Sequence, residues 1–437
     1  MATKLKRRDA VKLGGYGLLG SALGGCEGQA GKAEMEVSDN TADLSHHLHD
    51  SGTVPVSASG WTRTLGEGPQ YAALGEDIET DVLVVGAGLA GSSLALHLSE
   101  EGIAAVVIEA RQPGWGASGR NAGHVLPLLK DVELISAFPD GGRAFFDLFR
   151  EQHTIPFDIA RRYGIECDAS QSGYLTAMTS RRALEKLTHS SVLPAERLGQ
   201  SMRPLEATAM REMTGSDYYR YGVLYESGGR INPYLLTQGM IAVACQNGAR
   251  VFGESAATTI SPHGKGWRVR TGNGATVSCR RVVFCTNAYS DEVVPAFQRG
   301  AYPLTAYALC SKPLPAALLD QVLPSRATLA QAPFDLNPFL IDGYNRIVTA
   351  SLPSRSRPAD AQWHFDQHLK WIHRTWPQTQ GEPIELQAYW TGRVAMRQRE
   401  FPGMYELDTG LYGLMHFNAW GNVMAPLMGM SLAKALA

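Results

Sequence analysis

The stretch from Thr80 to Glu109 constrains the fold of this chain more than any other. Thr80-Asp-Val-Leu-Val-Val runs as an apolar strand into Gly86-Ala-Gly88-Leu-Ala-Gly91. A helical segment follows from Ser92 to Glu101, and a second apolar strand, Ala105-Val-Val-Ile, ends on Glu109. Strand, glycine turn, helix and acid-ended strand in that order make a βαβ dinucleotide-binding unit. Gly86 permits the tight turn, Gly88 lets the backbone approach a pyrophosphate, and Gly91 lets the helix pack on the strand. The helix N-terminus offers free N–H groups and a positive dipole end to the phosphates. Glu109 can accept hydrogen bonds from ribose hydroxyls. Gly15-Tyr-Gly17-Leu-Leu-Gly20 has the same spacing. No strand precedes it and no acid-ended strand follows, so it carries no such expectation.

The N-terminal 26 residues read as an export signal. Lys4, Lys6, Arg7 and Arg8 make a basic start, and Val11 to Leu23 is an apolar, glycine-rich run too short to span a bilayer. Leu23-Gly-Gly-Cys26 resembles the cleavage box of bacterial lipoproteins, whose cysteine receives the lipid. Arg7-Arg8-Asp-Ala-Val-Lys resembles the twin-arginine signal, with Ala10 in place of the usual phenylalanine. The expectation is export of a folded protein, already loaded with its dinucleotide, to the periplasmic face, held to the membrane by lipid on Cys26. Residues 27–79 read as tether and lead-in, rich in Ser, Asp, Ala, Gly and His up to about Gly60. His46, His47 and His49 read as part of that polar linker.

About 411 residues then remain, enough for two or three domains with sizeable cores. The net charge of −2 gives no electrostatic footprint for nucleic acid. Six cysteines without a CxxC, five of them beyond Cys26, argue against a full disulfide framework. His364 and His368 stand four apart with no third ligand at a recognisable spacing, which favours a packed helix over a metal site. Arg143 to Gly164 and Trp363 to Thr375 carry helical periodicity. Leu304–Cys310 and Arg346–Ala350 read as strands beside turn residues.

Five further blocks stand in a telling order. They are Gly116-Ala-Ser-Gly-Arg-Asn-Ala-Gly-His124, Gly228-Gly-Arg-Ile-Asn-Pro233, Val282-Val-Phe-Cys-Thr-Asn-Ala-Tyr289, Leu411-Tyr-Gly-Leu-Met and Asn418-Ala-Trp-Gly421. With Trp61 and Leu74-Gly-Glu-Asp ahead of the first strand, they resemble the FAD-dependent amine and amino-acid oxidoreductases of the D-amino-acid oxidase family. The resemblance is strongest to its γ-glutamylputrescine and pipecolate oxidase type, and it covers about residues 58–437. It implies an α/β fold, with a Rossmann-like FAD-binding domain interleaved with an α+β substrate domain containing an antiparallel sheet. The FAD domain would be assembled from 80–130, 226–300 and 385–437, and the substrate domain from 131–225 and 301–384. Cofactor contacts are implied for Gly86, Gly88, Leu89, Ala90 and Gly91, and for Glu109, Ala110 and Arg111. Ser118, Gly119, Arg120, Asn121 and Ala122 would follow from the glycine-rich loop. Thr286, Asn287, Gly392, Gly421, Asn422 and Val423 complete the set.

No second GxGxxG with a strand and helix around it occurs, so the electrons should come from an organic donor. In the family a hydride passes to FAD from the carbon next to an amine nitrogen, and the resulting imine hydrolyses. The protein positions the donor and excludes water while the cofactor carries the difficult step. The helix starting near Asn422 would point its N-terminus at the flavin edge that gains negative charge. His124 stands where this branch often has glutamine, placed to bond a flavin ring atom or to adjust the amine's protonation. Trp390, Trp420, Tyr344 and His416 are read as pocket walls, with His124, Trp390 and Trp420 as the catalytic set. The family's substrate-carboxylate arginine lies in a Trp-x-Gly-x-Arg stretch. Here Trp390-Thr-Gly392-Arg393-Val394 brings the arginine one residue early and puts Val394 in its place. A shift of one residue along a strand turns a side chain to the other face. That moves the expectation toward amines, or toward acids gripped elsewhere, with Arg120 and Arg230 as other guanidinium groups. The acceptor is oxygen, or a quinone or redox protein; Lys312 is the lysine considered for oxygen activation. Two other readings stand beside oxidation of a small amine or amino acid. One is a flavoenzyme that modifies a side chain of a partner protein, and the other a flavin-binding protein without catalysis.

Overall fold

The computed structural model describes residues 59–65, 68–197, 199–290, 293–331, 335–397 and 401–437. The basic start, Cys26 and the His46–His49 linker lie outside the described residues.

Asp81 to Val85 and Ala105 to Ile108 form strands because every second-order choice agrees: β-branched residues, no internal breaker and turn residues at each end. Continuous apolar runs need cover on both faces, which is the requirement of a parallel sheet. The first sheet supplies it. Its strands run in the order Gly403–Asp408, Leu411–Met415, Thr276–Phe284, Ile78–Val85, Ala105–Ile108 and Arg250–Phe252. All neighbours are parallel except the first pair. Val85 sits level with both Phe284 and Ile108, so the strands end together. An antiparallel extension, Ala257–His263 and Gly266–Thr271, hangs from the Thr276–Phe284 strand.

Helix Leu89–Glu100 follows the first strand and is buried from Leu89 to Leu98. Helix Gly421–Leu436 lies against it so closely that a methyl group on Gly429 would come within 2.8 Å of the Ala90 carbonyl oxygen. Ser93 Oγ donates to the Pro426 carbonyl across this contact at 2.8 Å. Helix Pro233–Gln246 completes the layer, its apolar face in the same core.

The second sheet has eight strands, in the order Leu386–Met396, Tyr302–Pro313, Arg346–Ser351, Asp335–Ile341, Thr328–Gln331, Tyr174–Met178, Tyr221–Tyr225 and Arg203–Leu205. It is antiparallel except where Thr328–Gln331 runs parallel to Tyr174–Met178. Helix Ala361–Thr375 packs on it through Phe365, Trp371 and Ile372. His368 bonds the Tyr307 hydroxyl at 2.9 Å and His364 accepts the Ser354 N–H at 2.9 Å, so both histidines belong to a packed helix.

The expected α/β architecture is present, with two corrections to its boundaries. Strand Leu386–Met396 belongs to the second sheet, because its partner along almost its whole length is Tyr302–Pro313. Helices Arg143–Gln152 and Ile155–Tyr163, expected in the substrate part, sit on the nucleotide-binding core. Their apolar faces, with Phe145, Phe149 and Phe157, pack with Trp420 and Met424. Cys167, Cys279, Cys285 and Cys310 are buried thiols outside any disulfide, in keeping with their reading as small core side chains.

Candidate active site

The parallel strands of the first sheet end at Val85, Ile108 and Phe284, and all three ends open into one cleft of about 1450 Å³. In open α/β sheets a ligand sits in this crevice beyond the carboxyl ends of the strands. The volume exceeds the 300–1,000 Å³ or so typical of a single small ligand. It has room for a dinucleotide and a second molecule.

At one end the backbone is stripped of side chains. Gly86 has φ +101°, a conformation that a residue with a Cβ rarely adopts. A methyl group on Gly88 would stand 2.7 Å from Ser118 Oγ, and one on Gly91 would overlap the Gly86 carbonyl. No side chain at the N-cap position covers the start of helix Leu89–Glu100, where Gly88 stands. Helix Gly421–Leu436 also starts at the cleft without a side-chain cap. Two helix N-termini therefore face one cavity, an arrangement suited to an anionic cofactor. The Glu109 carboxylate lines the same end, accepting the N–H groups of Ala87 at 2.8 Å and Arg111 at 3.1 Å. Burial raises its pKa against these bonds. These residues fit FAD: glycines at the pyrophosphate, a carboxylate at the ribose and a helix N-terminus at the ring.

Gly86, Gly88, Leu89, Ala90, Glu109, Ala110, Arg111, Ser118, Arg120, Asn121, Ala122, Thr286, Asn287, Gly392, Gly421 and Asn422 all line the cleft. Three expected cofactor residues do not. Gly91 and Gly119 are spacers, each kept small by a carbonyl oxygen where a Cβ would stand, of Gly86 and Gly114 respectively. Val423 is fully buried among the helices. Arg120 is tied down by Nε to the Trp115 carbonyl at 2.6 Å and by Nη1 to the Thr391 carbonyl at 3.2 Å.

His124 lines the cleft and is buried. Neither ring nitrogen has a hydrogen-bond partner among the described residues. Burial drives its pKa down to about 3, so the imidazole is neutral. A buried polar pair left open at a cavity is a place for a ligand atom.

The other expected pocket walls are corrected. Trp390 and Trp420 are each 1 % exposed and lie behind the cleft. Trp390 packs on Trp61 and donates to the Arg120 carbonyl at 2.7 Å. Trp420 donates to the Leu126 carbonyl at 3.1 Å and packs beside Phe149. Both hold the walls in place from outside. Tyr344 stands at the surface, and His416 is spent on Tyr405 and the Phe297 carbonyl. Arg230 is paired with Asp168 at 3.1 Å, and Lys312 with Glu385; neither lines the cleft.

The second sheet forms the opposite wall. Gly392, Val394 and Met396 line it, alternating along their strand, while Arg393 does not. Val394 therefore occupies the wall, and the register read from the sequence holds. Sequence reasoning missed Tyr174, Thr176, Tyr225, Leu304 and Ala306 on this wall, together with Tyr289 from the turn after Phe284 and the cations Lys130, Arg182 and Lys186. Strand alternation at Tyr174-Leu-Thr176 was the available signal, but which face met the cleft depended on the pairing of distant strands.

The comparisons with known proteins agree with this geometry. Residues 81–435 match the model of the family described as FAD dependent oxidoreductase. The chain is 30% identical over 375 residues to gamma-glutamylputrescine oxidoreductase of Escherichia coli (strain K12), covering 84% of this chain and 85% of that protein. Among solved structures it resembles glycine oxidase from Bacillus cereus, with TM-score 0.65 and 20% identity over 81% of this chain and 94% of that one. It also resembles L-amino acid deaminase from Proteus vulgaris, with TM-score 0.66 and 18% identity over 83% and 90% of the two chains. Cradle, cleft and family match agree: this chain belongs to the FAD dependent oxidoreductase family.

Proposed function

We propose that the protein oxidises a small amine or amino acid at the carbon next to nitrogen, giving an imine that water then hydrolyses. One observation carries the reading. The cleft runs without a break from the glycine cradle to a chamber walled by Tyr174, Tyr225, Leu304, Val394 and Met396, with neutral His124 open to it. FAD, when bound, supplies the hydride acceptor. The chain's residues then have three tasks. Leu304, Val394 and Met396 keep water from the donor carbon and favour the neutral amine, the form that can release a hydride. Neutral His124 offers a lone pair or an N–H to a ring atom or to the amine, and takes no proton itself near neutral pH. The start of helix Gly421–Leu436 favours negative charge at its end of the cleft. Glu109, the one carboxylate lining the cleft among the described residues, is occupied by backbone N–H groups, so no carboxylate there stands ready as a general base.

The relatives' names support the donor class: an oxidoreductase of gamma-glutamylputrescine, a glycine oxidase and an amino acid deaminase. The test is anaerobic. Amines and amino acids are added to the yellow protein and the flavin absorbance is followed; if none bleaches it, the reading fails.

The site of action belongs to the same proposal. Arg7-Arg8 and Leu23–Cys26 support export by the twin-arginine route and lipid anchoring at the periplasmic face. Tethering there raises the effective concentration of membrane acceptors, which favours a quinone or redox protein over oxygen. Reoxidation of the reduced enzyme by air, compared with a soluble quinone analogue, decides between them.

A further inference from the structure

The cations of the cleft are unevenly placed. Arg111 and Arg120 stand with the glycine cradle and the Glu109 carboxylate, in the part assigned to the dinucleotide. Arg182 and Lys186 line the cleft from another element, with Ser180, Ser190 and Ser191. Their placement has a simple origin. Strand Tyr174–Met178 turns Tyr174 and Thr176 to the cleft, then Ser180 caps helix Arg181–Leu187 by accepting the Ala183 N–H at 3.3 Å. Arg182, Lys186 and Ser190 follow at intervals of four, which puts them in one row along the helical path. The path continues through a π-turn, Thr188–Val192, that carries Ser190 and Ser191 to the cleft. Lys130 reaches toward the cofactor end, donating to the Asn418 carbonyl at 3.0 Å three residues ahead of Gly421.

Among the described residues this row has no matching acid. Neither Arg182 nor Lys186 forms an ion pair or hydrogen bond among the described residues. The acids nearby are otherwise placed. Glu206 pairs with Arg181, Asp131 caps the helix after it by accepting the Leu134 N–H, and Glu185 does not line the cleft. Two exposed cations, unpartnered among the described residues, and three hydroxyls along one cavity wall form a receptor for negative charge. Val394 meanwhile removes the grip on a carboxylate next to the reacting nitrogen.

Building on the amine-oxidation reading, we propose that the substrate carries an anionic group distant from its reacting nitrogen, held by Arg182 and Lys186. The apolar chamber takes the chain between the two ends. A carboxylate and a phosphate monoester share the required chemistry.

The experiment uses the full-length holoenzyme. Straight-chain primary amines of stepped length are prepared in three forms: terminal carboxylate, its methyl ester and terminal phosphate monoester. Anaerobic flavin bleaching against concentration gives an affinity for each. The expected result is that one anionic form, at one chain length, binds on the order of tenfold tighter than the ester. The preference collapses toward unity in the Arg182→Gln, Lys186→Gln double variant. Raising the salt to about 1 M, where screening acts over about 3 Å, erodes it in the unaltered protein. Equal affinity for anion and ester at every length overturns the proposal, as does a preference that survives in the double variant. A second titration needs no turnover. Dicarboxylates and diamines of matched length are added and shifts of the flavin spectrum are followed. If no amine bleaches the flavin but dicarboxylates still shift the spectrum in an Arg182- and Lys186-dependent way, the oxidation reading fails and the anion site stands. If diamines bind as well as dicarboxylates, the anion site fails.

Discussion

Asn121 and Asn422, 301 residues apart, hold each other in a reciprocal amide pair, with N–O distances of 3.0 and 2.9 Å. Asn121 comes from the glycine-rich loop and Asn422 from the first turn of the C-terminal helix, and both line the cleft. Asn422 Nδ2 also donates to the His124 carbonyl at 2.7 Å, and Asn121 Oδ1 accepts the Gly123 N–H at 2.9 Å. One small network thus fixes the loop, the histidine and the helix that face the cofactor.

Asn422→Ala should lower both stability and flavin affinity. It leaves the Asn121 amide and the His124 carbonyl short of a partner, at a cost of about 1–3 kcal/mol. A fall of a few degrees in melting temperature and weaker FAD retention are expected from thermal melts and flavin titration. A variant that matches the parent in both would show the network to be incidental.

Gly88→Val should give colourless protein that still folds. The new side chain would meet Ser118 Oγ and fill the place of the pyrophosphate. Flavin content after purification and far-UV circular dichroism are the two measurements. Full flavin occupancy in this variant is incompatible with the cradle.

His124→Phe should change the acid-side stability of the flavin-free protein. The folded-state pKa is about 3 and the unfolded value is 6.5, so between them the folded state binds fewer protons. The stability linked to His124 is complete above about pH 6.5 and is lost as the pH falls toward 3, with a slope of at most about 1.4 kcal/mol per pH unit. His368 and His416, both pushed to about 4 by burial, contribute similarly in parent and variant. The variant should therefore show a shallower slope in denaturant melts below pH 6.5, together with slower flavin reduction. Identical slopes would mean that His124 does not remain neutral on folding.

Val394→Arg should move selectivity toward α-amino acids. Position 394 faces the cleft and Arg393 does not. A guanidinium there can grip an α-carboxylate in two-point fashion, a change on the order of 10²-fold relative to the matched amine. Arg393→Ala should leave the selectivity as it is. Paired anaerobic reduction rates read both effects, and loss of α-amino acid turnover in Arg393→Ala would overturn this view of the strand.

Cys26→Ala should release the protein from the membrane fraction, and Arg7→Lys with Arg8→Lys should retain it inside the cell. One acyl chain binds membranes marginally, so stable anchoring needs several. Fractionation unchanged by either substitution would remove the export proposal.

The cradle was legible because its information is local. Gly86, Gly88, Gly91 and Glu109 lie within one βαβ unit, and the steric needs of turn, pyrophosphate and helix packing dictate each of them. The shift of Arg393 was legible for a similar reason, since strand alternation has a fixed period of two. Trp390 and Trp420 were misread as cleft walls because an aromatic beside a glycine motif has the same sequence appearance on either side of the wall. Their burial against Trp61 and Phe149 is settled by segments far away in the chain.

By itself the sequence determined the nucleotide-binding unit, its carboxylate, the small-residue positions and the face taken by residue 394. All of these follow from short-range geometry and chain chemistry. Only the tertiary structure decided which strands met. It brought Leu386–Met396 beside Tyr302–Pro313 and turned helix Arg181–Leu187 to the cleft. It also left the His124 ring nitrogens without a partner among the described residues while it joined Asn121 to Asn422. Those outcomes depend on long-range packing, where hydrophobic burial is non-directional and the pairing that covers the most apolar surface selects each neighbour.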